Sequence, residues 1–324
     1  MIRFTSVAAA TLGACLVFAA PAQAQNYPTK PIHILVNGAP GSLPDLFARP
    51  IAEKMRQSLG QAVVVDNRPG AGGLLAMTHL KNSQPDGYTL AIVTNAHAVW
   101  NQYLFKELPY DTRKDLKPIA PVATIPMVLT APKDFPANTI QETIELAKKQ
   151  PGVLNYASSS VGSPPHVLFE MLKLQTKADI LHVPFKSGPD AMNSTISGRT
   201  QLYLAGSALV EPMTKDGRLK ALAVGTPERL SSFPNVPTFA EAGLPGHDNA
   251  VWLGMVTRSG VPDEVVGKLH QAINDAITSP DMANIFKAQG SAPYTSSTAD
   301  FEKRIQEEHE RWGPVIKEAN ISLD

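Results

Sequence analysis

Three loops carry the residues whose types and spacing could do chemistry. The first reads Asn37-Gly38-Ala39-Pro40-Gly41-Ser42-Leu43-Pro44-Asp45, after an apolar run at 32–36 and ahead of a helical pattern that starts near Phe47. Beyond the carboxyl end of a strand, the next helix presents unpaired N–H groups and its positive end, which attract a carboxylate or phosphate. Glycines let the backbone come close. The same residues also suit a plain turn in which Ser42 or Asp45 caps the helix. The second loop, Asn67-Arg68-Pro69-Gly70-Ala71-Gly72-Gly73, hints at a dinucleotide fingerprint, but the third glycine would fall at Leu75 and no acidic residue completes a ribose site. It reads as a tight turn into a helix, and no nucleotide or other cofactor is expected.

The third loop, Asn155-Tyr156-Ala157-Ser158-Ser159-Ser160-Val161-Gly162-Ser163, leads into a helix from Pro164 or Pro165. Its serines offer hydroxyl and N–H donors to an anion, or a cap to the helix. A third reading takes Ser158-Ser159-Ser160-Val161-Gly162 as a nucleophile elbow with Ser158 in place of its first glycine. A hydrolase would then need Ser160 to meet His166 or His182. His166 and Glu170 are four apart on one helix, a spacing that can ligate a metal, but no third ligand is suggested, so no metal site is expected. His182 lies in an apolar strand and reads as a core residue. His97, after the run at 89–93, could line the same cleft as the first loop. Lys186 follows Val183-Pro184-Phe185 and is either a cation beside a ligand loop or a solvated lysine.

The elements that must position these loops alternate. Apolar β-type runs occur at 32–36, 62–66, 89–93, 127–130, 180–183, 201–204, 219–224 and 251–256. Between several of them lie helical stripes: Phe47, Ile51, Met55 and Leu59, where Pro50 should kink the helix or shift its start, and Val265, Leu269, Ile273 and Ile277 in a helix from Asp263. This is an α/β pattern with mostly parallel sheets flanked by helices. Prolines, 28 of 324 residues, fall singly between elements, except for two richer transitions at 119–126 and 234–245. A chain that crosses there and returns makes a two-lobed clamp.

Basic and acidic side chains balance at 29 each, which argues against a nucleic-acid or anionic-membrane surface. Residues 1–24 read as an export signal: Arg3, an apolar stretch from Val7 to Ala20, and Ala22-Gln23-Ala24 for cleavage. The stretch is short for a membrane span. The only cysteine, Cys15, lies inside it, so the mature chain should hold no disulfide. Leu12-Gly13-Ala14-Cys15 is a weak lipoprotein box, opposed by the apolar residues that follow it.

Several segments, in order, resemble one family. They are Tyr27-Pro28-Thr29-Lys30-Pro31-Ile32, Val65-Asp66-Asn67-Arg68-Pro69-Gly70-Ala71-Gly72-Gly73, Pro85-Asp86-Gly87-Tyr88-Thr89-Leu90, His182-Val183-Pro184-Phe185-Lys186, Val236-Pro237-Thr238-Phe239-Ala240-Glu241-Ala242-Gly243 and Trp252. The chain resembles the Bug-type (Bordetella uptake gene) periplasmic solute-binding proteins of tripartite tricarboxylate transporters. The resemblance implies a Venus-flytrap fold: lobe 1 from 25–125 and 251–324, lobe 2 from 126–250. It further implies a non-enzymatic, monomeric periplasmic protein that hands a small carboxylate to membrane permease subunits; sensing without transport shares the fold. The ligand is then expected among Asn37, Gly38, Ala39, Gly41, Ser42, Asp45, Thr94, His97, Ser158, Ser159, Ser163, Phe185, Lys186, Gly206 and Ser207. The chain departs from the family pattern where Asn37-Gly38 replaces a Pro-aromatic pair, Ser42 and Ser187 replace glycines, and Ser194 replaces an aspartate. Loss of bulk at Gly38 should enlarge the pocket. A carboxylate larger than a C4 diacid, aromatic ones included, is the expected ligand, with Asn37, Ser42, Ser158 and Ser163 as donors.

Overall fold

The computed structural model describes residues 27–247 and 250–323; the export signal expected over 1–24 lies outside the described residues. Strands β1 (Ile32–Val36), β2 (Val63–Asn67), β3 (Thr89–Thr94), β4 (Leu116–Ile125), β10 (Val251–Arg258) and β11 (Ala292–Pro293) form one sheet in the order β11-β4-β10-β3-β1-β2. Strands β5 (Met127–Pro132), β6 (Asn155–Ser158), β7 (Leu181–Pro184), β8 (Leu202–Gly206) and β9 (Leu219–Val224) form a second, in the order β7-β6-β8-β5-β9. Helices α1 (Leu43–Leu59), α2 (Leu74–Asn82), α3 (Asn101–Leu104), α8 (Asp263–Ile277), α9 (Pro280–Ala288) and α10 (Thr298–Glu318) fall in the segments that build the first sheet. Helices α4 (Ile140–Lys149), α5 (Pro164–Thr176), α6 (Gly188–Ile196) and α7 (Ser207–Lys215) fall in those that build the second.

The expected runs become strands within one or two residues of their ends. β1 is paired on both sides and buries Ile32, Ile34, Leu35 and Val36, as a central strand of a covered sheet should. The sheets are mixed rather than mostly parallel. Only β2-β1-β3 and β7-β6-β8 run parallel. β10 and β11 run against the others in the first sheet and β5 in the second; the chain passes between the sheets where β4 runs through Pro126 directly into β5 and where β9 leads back to β10.

Two further differences have physical causes. The proline-rich stretch at 119–126 is not only a crossing, because most of it belongs to β4. Its pairing with β10 slips twice, so that Ile119 and Val122 face no partner while Pro118 and Pro121 stay in register. Bulges of this kind are where a strand tolerates proline. In α1 the helix starts at Leu43 and continues through Pro50. Pro50 has no N–H to offer Leu46, but Phe47, Ala48, Ile51, Ala52 and Met55 are all buried on one face, and that packing carries the helix across the gap. The helix expected from Asp263 starts there as α8 and buries Val265, Leu269, Ile273 and Ile277.

One apolar core takes residues from both sheets, from Ile34 and Phe47 to Tyr156 and Leu204. A smaller one, including Val128, Ala157, Ala191, Tyr203 and Val210, lies between the second sheet and its helices α6 and α7. No helix among the described residues is long and apolar enough to cross a membrane.

Candidate ligand-binding site

Loops at the carboxyl ends of β1, β2 and β3 face the loop after β6 across a cavity of about 800 Å³. Asn37, Gly38, Gly72, Gly73, Thr94 and His97 line one side and Ser160, Val161, Gly162 and Ser163 the other. Pro44, Leu74, Phe105 and Leu323 add apolar wall. Among the described residues no lysine or arginine lines it.

The first loop is held by charge. Asp45, in the first turn of α1, is buried at 2% exposure. It accepts bonds from Gly41 N–H (2.8 Å), Asn67 Nδ2 (2.9 Å) and Arg49 Nε (2.9 Å). Burial pushes its carboxyl up, but these bonds from Arg49, Gly41 and Asn67 outweigh it and hold the group below the usual carboxylate range. Asn67, the last residue of β2, also donates to the Gly38 carbonyl at 3.0 Å and accepts from Arg49 Nη2 at 2.9 Å. Ala39 accepts the Ser42 N–H at 3.0 Å and closes the turn. Asp45 is thus a brace for the loop, with no free acceptor role at the cavity. Gly38 lines the cavity, but a Cβ there would overlap Ser42 Oγ, so Ser42 occupies part of the room a side chain at 38 would need. A side chain at 38 could therefore not be added without moving Ser42. The Ser42 hydroxyl is buried without a hydrogen-bond partner.

The β3 end supplies Thr94 and His97. Asn37 Nδ2 lies 2.7 Å from His97 Nε2, and Thr94 Oγ1 lies 2.9 Å from His97 Nδ1. Burial pushes the imidazole down to about 4, against a smaller opposite pull from a bond with the Gly72 backbone. The ring is neutral near pH 7 and brings no charge to the cleft. Gly73, at φ +88°, packs against it so closely that a Cβ would overlap His97 Nε2. The glycine turn at 70–73 is a tight turn into a helix, as its sequence suggests, and it lines the cavity as well.

The loop after β6, the second loop of the two that face each other across the cavity, is held by neutral rings. His166 and His182 stack at 3.8 Å, and Tyr156 stacks on Phe169 at 3.9 Å and on His182 at 4.9 Å. Burial pushes His166 down to about 3 and His182 to about 4. His166 Nδ1 accepts the Gly162 N–H at 3.0 Å, and His182 Nε2 lies 2.7 Å from Ser158 Oγ. The Ser158 hydroxyl donates to the Ser160 carbonyl at 2.9 Å, which leaves His182 to donate to Ser158 and not to act as its base. Ser163 Oγ donates to the same carbonyl at 2.6 Å and accepts the Ser160 N–H at 3.3 Å. Pro164 and Pro165 open α5 and carry no N–H. Most donors of this loop therefore bond within it; among the described residues the Ser160 hydroxyl and the Val161 N–H have no protein partner, and both residues line the cavity. The Ser160–His arrangement of a hydrolase is not assembled. His182 belongs to the packed stack, as its apolar strand suggests. Glu170 accepts from Tyr156 and Lys173 at 2.6 and 2.8 Å, and no metal-binding group was found among the described residues.

Other candidates lie off the cavity lining. Ser158 is fully buried, and Ser159, in the same loop, is not part of the lining. Phe185 packs on the smaller core, and its N–H donates to the Ser158 carbonyl at 2.9 Å. Lys186 is exposed and makes no hydrogen bond or ion pair. Gly206 caps α7. Ser207 is buried and ties the second sheet's α7 to the turn after α9, donating to the Gly290 carbonyl at 2.7 Å. Sequence reading missed Asn67, Gly72, Gly73, Phe105 and Leu323. The first three stand in the segment that carried the resemblance; for Phe105 and Leu323 no local signal exists.

Comparison with known proteins accounts for this arrangement. The family described as "Tripartite tricarboxylate transporter family receptor" matches residues 47–321. The protein BugT of Bordetella pertussis is 32% identical over 306 residues, covering 94% of each chain. Two solved structures from Rhodopseudomonas palustris superpose well. Rpa4515 with adipate has a TM-score of 0.77 and 30% identity over 92% of this chain and 100% of that one. MatC with bound malate has a TM-score of 0.75 and 29% identity over 90% and 100%. The chain belongs to the tripartite tricarboxylate transporter receptor family, as a Bug-type solute-binding protein and not an enzyme.

Proposed function

We propose that the protein captures a small carboxylate larger than a C4 diacid, aromatic acids included, in the cleft between its two sheets. It then delivers that ligand in the periplasm to the permease of a tripartite transporter. The observation that carries this reading is the 800 Å³ cavity, apolar on several walls and without a lysine or arginine. A cavity of this size suits a ligand with an extended body, and the carriers that hold adipate and malate supply the precedent for carboxylates. The case for size rests on that volume, since Ser42 takes part of the room Gly38 leaves.

In this reading lobe 1 comprises 25–125 and 251–324 and lobe 2 comprises 126–250, consistent with the strands each sheet contains. The lobes close as a monomer by a hinge at the two crossings, and the closed form is what the permease meets. Asn37, Thr94 and His97 contact the ligand from one side and Ser160 and Ser163 from the other. Titration calorimetry and thermal shift across mono-, di-, tri- and aromatic carboxylates test the reading. Ligand at 100 times its Kd should stabilise the chain by about 2.7 kcal/mol. Tight binding confined to aliphatic diacids of four carbons or fewer overturns the size assignment, and absence of any carboxylate binder overturns the function.

A further inference from the structure

The tail that follows α10 reaches the ligand cleft, and its route is fixed by the helix end. Asn320 adopts a left-handed conformation at φ +52°. Its N–H bonds the Lys317 carbonyl at 3.1 Å, while the N–H of Ile321 bonds the Ile316 carbonyl at 3.2 Å. This pair of bonds is the Schellman ending of a helix, with the apolar Ile321 tucked against the last turns. The chain is thereby turned back toward α3, where the Leu323 N–H donates to the Leu104 carbonyl at 2.9 Å. Leu323 is 37% exposed, a large apolar side chain in the cavity wall beside Phe105 of the first-sheet side.

Across the cleft the same side chain meets the second loop. A Cβ on Gly162 would lie 3.0 Å from Leu323 Cδ1 and 3.1 Å from Cδ2. Gly162 stands at φ +72° with its N–H held by His166. The tail is thus anchored on one side of the cavity and touches the other.

We propose that Leu323 is a specificity-determining residue, the end wall against which the apolar body of a bound carboxylate packs. The apolar end of the ligand then packs against Phe105, Val161 and Leu323, and its carboxylate is bonded by polar groups of the same lining such as Asn37, Thr94 and Ser160. This rests on the carboxylate-binding reading above. It adds that the tail, and not only the strand-end loops, sets which body fits.

The test uses the full chain with Leu323→Ala, a change near the chain's surface, with the midpoint of the free protein measured first. Benzoate, 4-tert-butylbenzoate, adipate and malate are titrated into wild type and variant. The expected result is at least about a tenfold loss for benzoate, since Leu323→Ala removes three carbons and a single methylene in an apolar pocket is already worth that much. It comes with a gain for 4-tert-butylbenzoate relative to benzoate, and with malate binding unchanged. Equal loss for all four ligands, no change for any, or wild-type binding of malate alone overturns the inference and leaves carboxylate capture standing. No binding of any of the four to wild type overturns the inference, and the wider carboxylate screen above decides the function.

Discussion

The two loops that face each other across the cleft are alike in composition and opposite in how they are held. Each follows a strand, is rich in Ser and Gly, and opens a helix through proline. The loop at 37–45 is fixed by one buried carboxylate and the three groups that bond it, Gly41, Asn67 and Arg49. The loop at 158–163 is fixed by stacked neutral rings that bond its backbone and Ser158. Acid therefore weakens both loops but in different pH ranges, because one brace must stay charged and the other must stay uncharged.

The charged brace should be the more damaging to break. Asp45→Ala strands Gly41, Asn67 and Arg49 together and should cost about 3 kcal/mol in urea denaturation, with loss of ligand binding. Asp45→Asn, which keeps the shape without the charge, should lose less. Next in size, Gly73→Ala forces a Cβ at positive φ against His97, and about 2 kcal/mol of stability should go with it. Ligand affinity should fall by more than that of a Gly60→Ala control, where a Cβ meets nothing.

Acid separates the braces directly. His166 and His182 have lowered values in the folded chain, while a histidine in the unfolded chain takes its proton near pH 6.5. Their contribution is therefore complete above about pH 6.5 and is lost as pH falls from there toward 4. Asp45, also lowered, keeps its contribution until pH falls below the ordinary carboxylate range. The thermal midpoint should drop between pH 7 and 5, and His166→Phe should flatten that slope while Asp45→Asn leaves it unchanged. His97 and His309 are lowered by burial too, so the difference between variants is the measurement, not the total slope. The ring stack is faced by Glu170 and Lys173, which pair with each other at 2.8 Å. The smallest effect is expected at Lys186. It stands on the second loop's side, outside the cavity lining, and Lys186→Ala should move stability by less than ~0.5 kcal/mol and affinity by less than twofold.

The same contrast explains what could be read from the chain before its structure. Continuous apolar strands such as β1 and β9 and the i+4 stripe of α8 announce themselves, because burial on both faces or on one leaves a period in the sequence. β4 hides behind Pro118 and Pro121, since a bulge that accepts proline depends on the partner strand and not on the strand itself. At the site, strand-end loops with glycine and serine are recognisable by position. Which of their donors remain for a ligand is not, because that is decided by pairings such as Ser158 with His182, 24 residues apart. Asn67 bracing Gly38 across 29 residues is hidden for the same reason. Ser42 filling the room beside Gly38 shows that the space at one loop position is set by a residue four along, which neither residue type reveals alone.

Pro164 and Pro165 have a consequence for timing. A helix that opens with two prolines keeps the field of its aligned peptide dipoles but offers two fewer N–H groups to hold an anion. The field acts before contact and tolerates any approach angle, so it speeds capture. Directed hydrogen bonds act only after contact, and they lengthen residence. An α5 end of this composition therefore attracts an anion while offering few directed bonds to hold it.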